Sequence, residues 1–170
     1  MSLISVVCPC LDESDSINDF YSEVSKALKN VGHEWEIIFV NDGSTDDTLS
    51  KIKGLADADD NVKYISFSRN FGKESALYAG LVSSKGDYVC VMDADLQDPP
   101  QLLPEMLDAL MNSDYDIVAT RRITRKGEPV IRSFSARLFY KFINKFSKLE
   151  VVDGARDYRM MTRQVADAVL

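Results

Sequence analysis

Residues 88–100 have the sequence Tyr88-Val-Cys-Val-Met-Asp-Ala-Asp-Leu-Gln-Asp-Pro-Pro100. Its first half, residues 88–92, is a continuous apolar run, which is typical of a parallel strand covered on both faces. Acidic residues follow at once, and the paired Pro99 and Pro100 suit the first turn of a helix. The stretch therefore predicts a buried strand, an acidic loop at its carboxyl end and a helix behind that loop.

The same alternation of strand and helix patterns extends over most of the chain. Apolar runs predict further strands, each buried on both faces, over residues 3–7, 35–40, 62–67 and 115–119. Apolar residues three and four apart predict helices over residues 17–31, 47–55, 74–82 and 102–111, with Ser16 capping the first and Gly32 ending it. Such a series predicts an α/β fold, a Rossmann-like, mostly parallel sheet flanked by helices.

The last fifty residues depart from this rhythm. A polar loop is predicted over 121–132, and a helix over 133–146 carries a phenylalanine-rich stripe beside a basic face. That stripe fits ordinary core packing, the more common outcome, or an interfacial helix on a lipid surface. A short strand is predicted over 158–161. Thr162 would cap a helix that is still apolar at Leu170, so we expect the natural chain to continue.

Composition limits the class of protein. The chain has 170 residues, is 45% hydrophobic and carries a net charge of -7, which suits one globular domain with no need of disulfides. The odd number of cysteines, 3, argues against a secreted disulfide scaffold and favours a reducing compartment. No apolar run approaches the roughly 18 residues of a membrane span. Basic residues concentrate in 121–148, a surface for phosphate or lipid, while the acidic remainder disfavours nucleic acid.

Polar residues follow the predicted strands at the points where the strands end. The four motifs are Pro9-Cys-Leu-Asp-Glu13, Asn41-Asp-Gly-Ser44, Asn70-Phe-Gly-Lys73 and Asp93-Ala-Asp-Leu-Gln97. Because the carboxyl ends of parallel strands meet at one edge, where ligands bind in open α/β sheets, these side chains should converge. Carboxylates gathered without equal numbers of cations favour a divalent cation, Mg²⁺ or Mn²⁺. The alternative to a metal site is that these residues are present only because Asp and Asn favour turns. This alternative is stronger for Asp42-Gly43 than for the Asp93-Ala-Asp95 (DXD) motif.

Together the four motifs resemble those of the inverting family 2 glycosyltransferases of the GT-A fold, and among them the bactoprenol and dolichol-phosphate sugar transferases. The resemblance covers nearly the whole chain. The Gln-x-x-Arg-Trp motif of processive synthases is missing, because the single tryptophan, Trp35, lies in a predicted strand. A single catalytic domain over 1–170 is implied, with a nucleotide-sugar-binding half over 1–120 and an acceptor-side segment over 121–170.

The resemblance also implies roles for individual residues. The nucleotide sugar would be held by Pro9, Leu11, Glu13, Asp42, Lys73, Asp93 and Arg121. The divalent ion would be ligated by Asp95, Gln97 and Asp93, with Asp95 counted as catalytic. The acceptor phosphate would be bound by Arg132 and Ser135, and Asp157 would be the second catalytic residue, facing the reacting centre.

The role of Asp157 has alternatives. A carboxylate in a dry site has a raised pKa and can act as a general base. An acceptor phosphate, however, has a second pKa near 6 and is largely ionised already at neutral pH. Asp157 would then orient the acceptor, or form an ion pair with Arg156 or Arg159.

The predicted function is metal-dependent, inverting transfer of a hexose from a nucleotide sugar to polyprenyl phosphate at the cytoplasmic face of a membrane. The predicted hexose is glucose, and the predicted donor is UDP-glucose. The longer protein would be membrane-anchored, and self-association is an option if the aromatic stripe is exposed. The alternatives are a mannosyltransferase using GDP-mannose and a non-catalytic nucleotide-sugar-binding domain. A nucleotidylyltransferase would need a glycine-rich loop where Pro9–Glu13 stands, and a phospho-receiver domain would need an aspartate after the third strand, where Ser68 stands.

Overall fold

The computed structural model describes residues 1–121 and 155–170, with the side chains of residues 121, 155 and 156 excepted. Two compact units are present, Met1–Val118 together with Asp157–Leu170, and Ala119–Arg156. Nearly all described residues belong to the first unit. The predicted helix over 133–146, together with Arg132 and Ser135, lies outside the described residues. The division into a donor half and an acceptor segment stays a prediction.

Strands and helices alternate through the first unit as the sequence predicts. In chain order they are β1 (Leu3–Cys10), α1 (Ile17–Lys29), β2 (Glu34–Asn41), α2 (Thr48–Ala58), β3 (Val62–Ser66), α3 (Lys73–Ser83), β4 (Tyr88–Val91), a 3-10 turn (Pro100–Leu102), α4 (Leu103–Met111), β5 (Ile117–Arg121), β6 (Ala155–Thr162) and α5 (Arg163–Ala168). Within these ranges, no helix has both the length and the apolar character needed to cross a membrane.

The described strands form one sheet in the order β3-β2-β1-β4-β6-β5. Strands β1, β2, β3 and β4 are parallel, while β6 runs antiparallel to β4. The sheet is thus mostly parallel and flanked by helices, which confirms the predicted fold class. Because β1 lies between β2 and β4, the carboxyl ends of these three strands are neighbours.

Helices cover both faces of the sheet. On one face α1, α2 and α4 pack with Phe20, Ile52 and Leu103 over alternate strand residues such as Val6. On the other face α3 and α5 pack over Val7 and its neighbours. Alternate residues of a strand point to opposite faces, so a strand covered on both sides is a continuous apolar run.

Two of the predicted strands are not buried on both faces, so that part of the prediction is wrong for them. In β3, Lys63 and Tyr64 are exposed, and in β5 Ile117 is half exposed. Both strands lie at the ends of the strand order, where the sheet has a neighbour on one side only. In these two edge strands the apolar run correctly predicts a strand, but it does not predict that both faces are buried.

The first helix has Ser16 at its N-cap position as predicted, but its capping bond and its C-terminal end differ from the prediction. Ser16 makes no side-chain capping bond, because its hydroxyl donates to the carbonyl and carboxylate of Glu13 instead. The helix ends at Lys29 with Asn30 as its C-cap, before Gly32. Gly32 has a φ of 73° and serves the turn into β2.

Candidate active site

The carboxyl ends of β1, β2 and β4 open into a cleft of about 310 Å³. Most of the predicted donor-site residues line it, namely Pro9, Leu11, Glu13, Asp42, Lys73, Asp93 and Asp95. Gln97 is exposed and is not among the lining residues. Arg121 ends β5, and its side chain belongs to the part of the chain that is not described. The convergence predicted from the strand ends is therefore present.

Hydrogen bonds join the loop after β1 to the loop after β2. The Asp12 carboxylate accepts from the Thr45 amide at 2.7 Å, and the Asp12 amide donates to Ser44 Oγ at 3.0 Å. The Ser14 amide donates to Asp46 Oδ2 at 3.1 Å. Asp12 adopts a φ of 53°, in the left-handed region that aspartate tolerates better than most residues. These bonds hold the two loops together as one wall of the cleft.

Asp46 anchors the helix end of this wall. Its Oδ1 accepts from the Thr48 amide at 2.9 Å, and the Thr48 hydroxyl accepts in turn from the Glu13 amide at 2.8 Å. The hydrogen bond with Thr48 is the largest influence that lowers the pKa of Asp46 to about 2. Asp46 is therefore ionised at neutral pH, and the wall keeps its hydrogen bonds there.

Asp42 is 3% exposed and lies at the base of the cleft. Its Oδ1 accepts from the Phe71 amide at 2.7 Å and its Oδ2 accepts from the Gly72 amide at 2.9 Å. The carboxylate thus fixes the loop that leads into α3. Each carboxylate oxygen can accept a second hydrogen bond, so a role in binding the base stays a prediction beside this structural one.

Gly43 allows the same loop to approach β2 closely. Its φ is 72°, and a Cβ added there would lie 2.3 Å from the backbone carbonyl carbon of Arg69. No side chain fits in that space. A turn preference would by itself explain a glycine at position 43. The structure adds a second reason, because the Arg69–Asn70 backbone passes too close for any side chain there.

Four charged side chains meet where α3, β4 and β6 come together. Lys73 Nζ lies 2.8 Å from the Asp93 carboxylate and 2.7 Å from Asp157 Oδ2. Arg159 Nη2 lies 3.0 Å from Asp157 Oδ1. Since Val91 of β4 pairs with Arg159 of β6 in an antiparallel register, Asp93 and Asp157 occupy opposed positions just beyond the ladder. Lys73 therefore lies between two opposed carboxylates.

The ionisation of this cluster bears on the alternatives for Asp157. The hydrogen bond from Lys73 is the largest influence on Asp157, and it holds the pKa of that carboxyl below its ordinary value. Partial burial would lower the pKa of Lys73, but the hydrogen bonds to Asp157 and Asp93 outweigh it and raise that pKa. The raised pKa expected for a dry site does not occur here, because Asp157 is half exposed and paired with Lys73. The ion pair with Arg159, one of the alternatives, is present.

The acidic loop after β4 offers hard oxygen ligands. Asp95 is exposed to the cleft, and its Oδ1 accepts from the Gln97 amide at 3.0 Å, across Leu96 with a φ of 54°. Within residues 1–121 and 155–170, no three His, Cys, Asp or Glu side chains are grouped to hold a metal ion. Asp93 and Asp95 therefore fit Mg²⁺ or Mn²⁺ only as part of a shell that takes its other oxygens from a ligand and water. Gln97 as a ligand stays a prediction.

Some residues of the cleft had no predicted role. Asn70 and Gly72 line it, and Phe71, which lies between them in the chain, is half exposed. The Arg69 guanidinium lies 4.7 Å from the Phe71 ring centroid, and Phe67 packs edge-on against the same ring at 5.5 Å. The sequence shows Phe71 as an aromatic residue inside a polar loop, but its position alone does not indicate whether the side chain is exposed or buried.

The fold and the cleft define an α/β domain of the GT-A type, with an acidic site at the carboxyl ends of parallel strands. Residues 5–170 match the family described as glycosyl transferase family 2. The chain belongs to this family.

Curated relatives share about half of their length with this chain. CsbB of Bacillus subtilis (strain 168), which is named as a glycosyltransferase, is 45% identical over 168 residues, 99% of this chain and 50% of CsbB. The bactoprenol glucosyl transferase of Shigella phage SfV is 39% identical over 166 residues, 98% of this chain and 54% of its own. The chain thus spans about half the length of the curated relatives it matches.

Solved structures share the fold. Glucosyl-3-phosphoglycerate synthase from Mycobacterium tuberculosis, in complex with Mn²⁺, UDP and glucosyl-3-phosphoglycerate, matches with a TM-score of 0.64 and 26% identity, over 96% of this chain and 58% of that one. The truncated Staphylococcus aureus TarS, residues 1–349, matches with a TM-score of 0.65 and 18% identity, over 99% of this chain and 49% of that one.

Proposed function

We propose that the protein transfers glucose from UDP-glucose to a polyprenyl phosphate, with inversion at the sugar carbon and with Mg²⁺ or Mn²⁺. The observation that carries the proposal is the cleft that Asp42, Asp93 and Asp95 line together with Lys73. Relatives named as bactoprenol glucosyl transferases support the sugar and the lipid acceptor. The synthase crystallised with UDP and Mn²⁺ supports the donor and the metal.

The nucleoside would lie on the side of the cleft formed by β1 and β2. Leu11 is 42% exposed and offers an apolar surface to the base, with Pro9 beside it. Asp42 would accept from a base N–H with a remaining lone pair. Glu13, whose amide is fixed by Thr48, would reach the ribose.

The diphosphate would lie between α3 and the loop after β4. A divalent ion held there by Asp93 and Asp95 would neutralise negative charge on the departing diphosphate as a Lewis acid. Lys73, at the first position of α3, offers an ammonium beside the same carboxylates. The amino end of α3 adds a partial positive charge, which favours an anionic group at this place.

The transfer itself is a single displacement. An oxygen of the acceptor phosphate would attack the sugar C1 from the face opposite the nucleotide. The bond from C1 to the diphosphate oxygen breaks, and UDP leaves with that electron pair. Because the acceptor phosphate is largely ionised at neutral pH, no proton has to be removed from it. Asp157, already ionised, would orient the acceptor, whose phosphate would be bound by Arg132 and Ser135, while Arg121 would contact the donor.

A lipid acceptor places the reaction at a membrane surface, and we propose its cytoplasmic face, where nucleotide sugars are made. The basic residues within 121–148 supply positive charge for anionic head groups. Self-association of the chain stays a prediction.

The test is transfer of radiolabelled sugar into an organic-extractable product. Purified protein is incubated with polyprenyl phosphate in detergent, Mn²⁺, and either UDP-glucose or GDP-mannose. The matched variants are Asp95→Ala and, at an exposed position outside the cleft, Asp60→Ala. We expect glucosyl lipid from the wild type and from Asp60→Ala, and a loss of at least about a hundredfold in Asp95→Ala.

Other results overturn parts of the proposal. Mannosyl lipid formed from GDP-mannose in place of glucosyl lipid would contradict the assigned donor. Nucleotide binding without transfer from either donor would make the chain a nucleotide-sugar-binding domain.

A further inference from the structure

We infer that Lys73 is an internal counter-cation that occupies the carboxylates of the site when no donor is bound, and that it makes metal binding depend on the nucleotide. Lys73 is a positioning residue in this inference, which rests on the proposed function. It assigns to Lys73 a role in the order of binding, beyond contact with the donor.

The Lys73 ammonium contacts two carboxylates at once, Asp93 after β4 and Asp157 in β6. The register of β4 and β6 ends at Val91 and Arg159, and Asp93 and Asp157 lie two residues beyond that last pair on the two chain segments. Two carboxylates that share one ammonium in this way would repel each other without it. Lys73 Nζ lies 2.8 Å from one carboxylate and 2.7 Å from the other. It thereby removes the repulsion that the opposed pair would otherwise have.

The same contacts stand in the way of a divalent ion. Asp93 is a proposed metal ligand, and the lysine takes up its carboxylate. The described residues hold no group of three His, Cys, Asp or Glu side chains placed for a metal ion, so this part of the chain offers an incomplete shell. A cation arriving without a donor would meet an occupied ligand, the positive charge of Lys73 and few free oxygens among the described residues.

A donor changes this balance. A diphosphate brings oxygens for the metal and a negative charge that attracts the ammonium. Lys73 is 40% exposed at its side chain, so its flexible stem can turn from the carboxylates to the diphosphate. Asp93 would then be free for the metal, and Asp157 would still have a cation beside it, because Arg159 Nη2 lies 3.0 Å from its Oδ1. Metal and nucleotide therefore promote each other's binding.

The experiment measures Mn²⁺ binding by the loss of the free-ion electron paramagnetic resonance signal, without nucleotide. The variants are Lys73→Met, which keeps the stem and removes the charge, and Lys53→Met, an equal charge change at an exposed position of α2. We expect Lys73→Met to bind Mn²⁺ alone at least about fivefold more tightly than the wild type, with Lys53→Met near the wild type. Circular dichroism confirms that each variant is folded.

A second measurement needs no variant. Mn²⁺ binding by the wild type should tighten at least about fivefold in the presence of saturating UDP, and reciprocally for UDP in the presence of Mn²⁺. Equal Mn²⁺ affinity in Lys73→Met and the wild type, including no detectable binding by either, overturns the inference. Absence of coupling between UDP and Mn²⁺ in the wild type overturns it as well.

The two proposals fail separately. A wild type that binds no UDP with Mn²⁺ contradicts the proposed function, whatever Lys73→Met does. A wild type that binds UDP with Mn²⁺, beside a Lys73→Met variant with unchanged affinity for Mn²⁺ alone, contradicts only the role of Lys73.

Discussion

Lys73 Nζ donates to Asp157 Oδ2 at 2.7 Å and so joins two residues that are 84 positions apart in the chain. The bond links the start of α3 to β6 and keeps Asp157 ionised, with its pKa below the ordinary value. The bond to Lys73 also holds the Asp157 carboxylate in place, where it can orient a charged or hydroxyl-bearing partner. A carboxylate that is already ionised is poorly suited to titrate as a base near neutral pH.

The pH dependence of transfer follows from this bond. We expect kcat/KM for glucose transfer to fall below about pH 6, because the acceptor phosphate becomes protonated there. Asp157 titrates well below this limb. Asp157→Asn should lower the rate at least about tenfold and leave the midpoint of the acid limb in place. An acid limb that disappears in Asp157→Asn would instead identify Asp157 as the titrating base.

Gly43 and Gly32 form a matched pair for a stability test. Both have positive φ, 72° and 73°, but a Cβ at Gly43 meets the Arg69 backbone at 2.3 Å and a Cβ at Gly32 meets nothing within 4 Å. Gly32→Ala should cost about 1–2 kcal/mol of unfolding free energy from conformation alone. Gly43→Ala should cost at least about 2 kcal/mol more. Equal losses in urea denaturation would contradict the close passage of the two backbones.

Asp46 gives a pH-dependent stability with a defined sign. Its pKa is about 2 in the folded chain against an ordinary value of 3.8, so its contribution is present above about pH 4 and is lost as the pH falls towards 2. We expect the wild type to exceed Asp46→Asn in urea midpoint at pH 5. The difference should shrink progressively between pH 4 and pH 2. A difference that stays constant over this range would show that the charge of Asp46 does not stabilise the wall.

Glu36 is a buried carboxylate whose cation lies at the surface. Burial would raise the pKa of Glu36, but hydrogen bonds from Lys63, Ser5 and the Lys85 amide outweigh it and lower the pKa. Lys63→Met removes the paired charge and should cost about 1–2 kcal/mol, below the value for a fully buried pair because the Lys63 side chain is 48% exposed. Lys53→Met is the control, with a change within about 0.5 kcal/mol. Equal unfolding free energies for the two variants would contradict a stabilising Glu36–Lys63 pair.

The sequence predicts the central sheet well because β1, β2 and β4 are covered on both faces, and such strands are continuous apolar runs. It also predicts which loops form the cleft, since those loops follow parallel strands that end at one edge. The predicted strand over residues 3–7 is too short, because β1 continues through Pro9 to Cys10, opposite Val40 and Asn41. Proline and asparagine suggest a turn when position in the sheet is unknown.

The contacts within the site are harder to predict. The Lys73 bridge depends on β6 lying antiparallel beside β4, and local patterns do not give the order of strands. The amide bonds to Asp42 depend on the path of the loop between β3 and α3. Both are long-range relationships, so residue type at a strand end suggests a ligand-binding role and leaves the partner unknown.

The most direct test of the donor site is calorimetric titration of UDP into the protein, with and without Mn²⁺, for the wild type, Asp95→Ala and Asp60→Ala. We predict UDP binding by the wild type that is strengthened by Mn²⁺. Asp60→Ala should behave in the same way, while Asp95→Ala should keep its fold and lose the effect of the metal. Unchanged, metal-dependent UDP binding by Asp95→Ala would contradict the assignment of the acidic loop after β4 as the metal-binding part of the site.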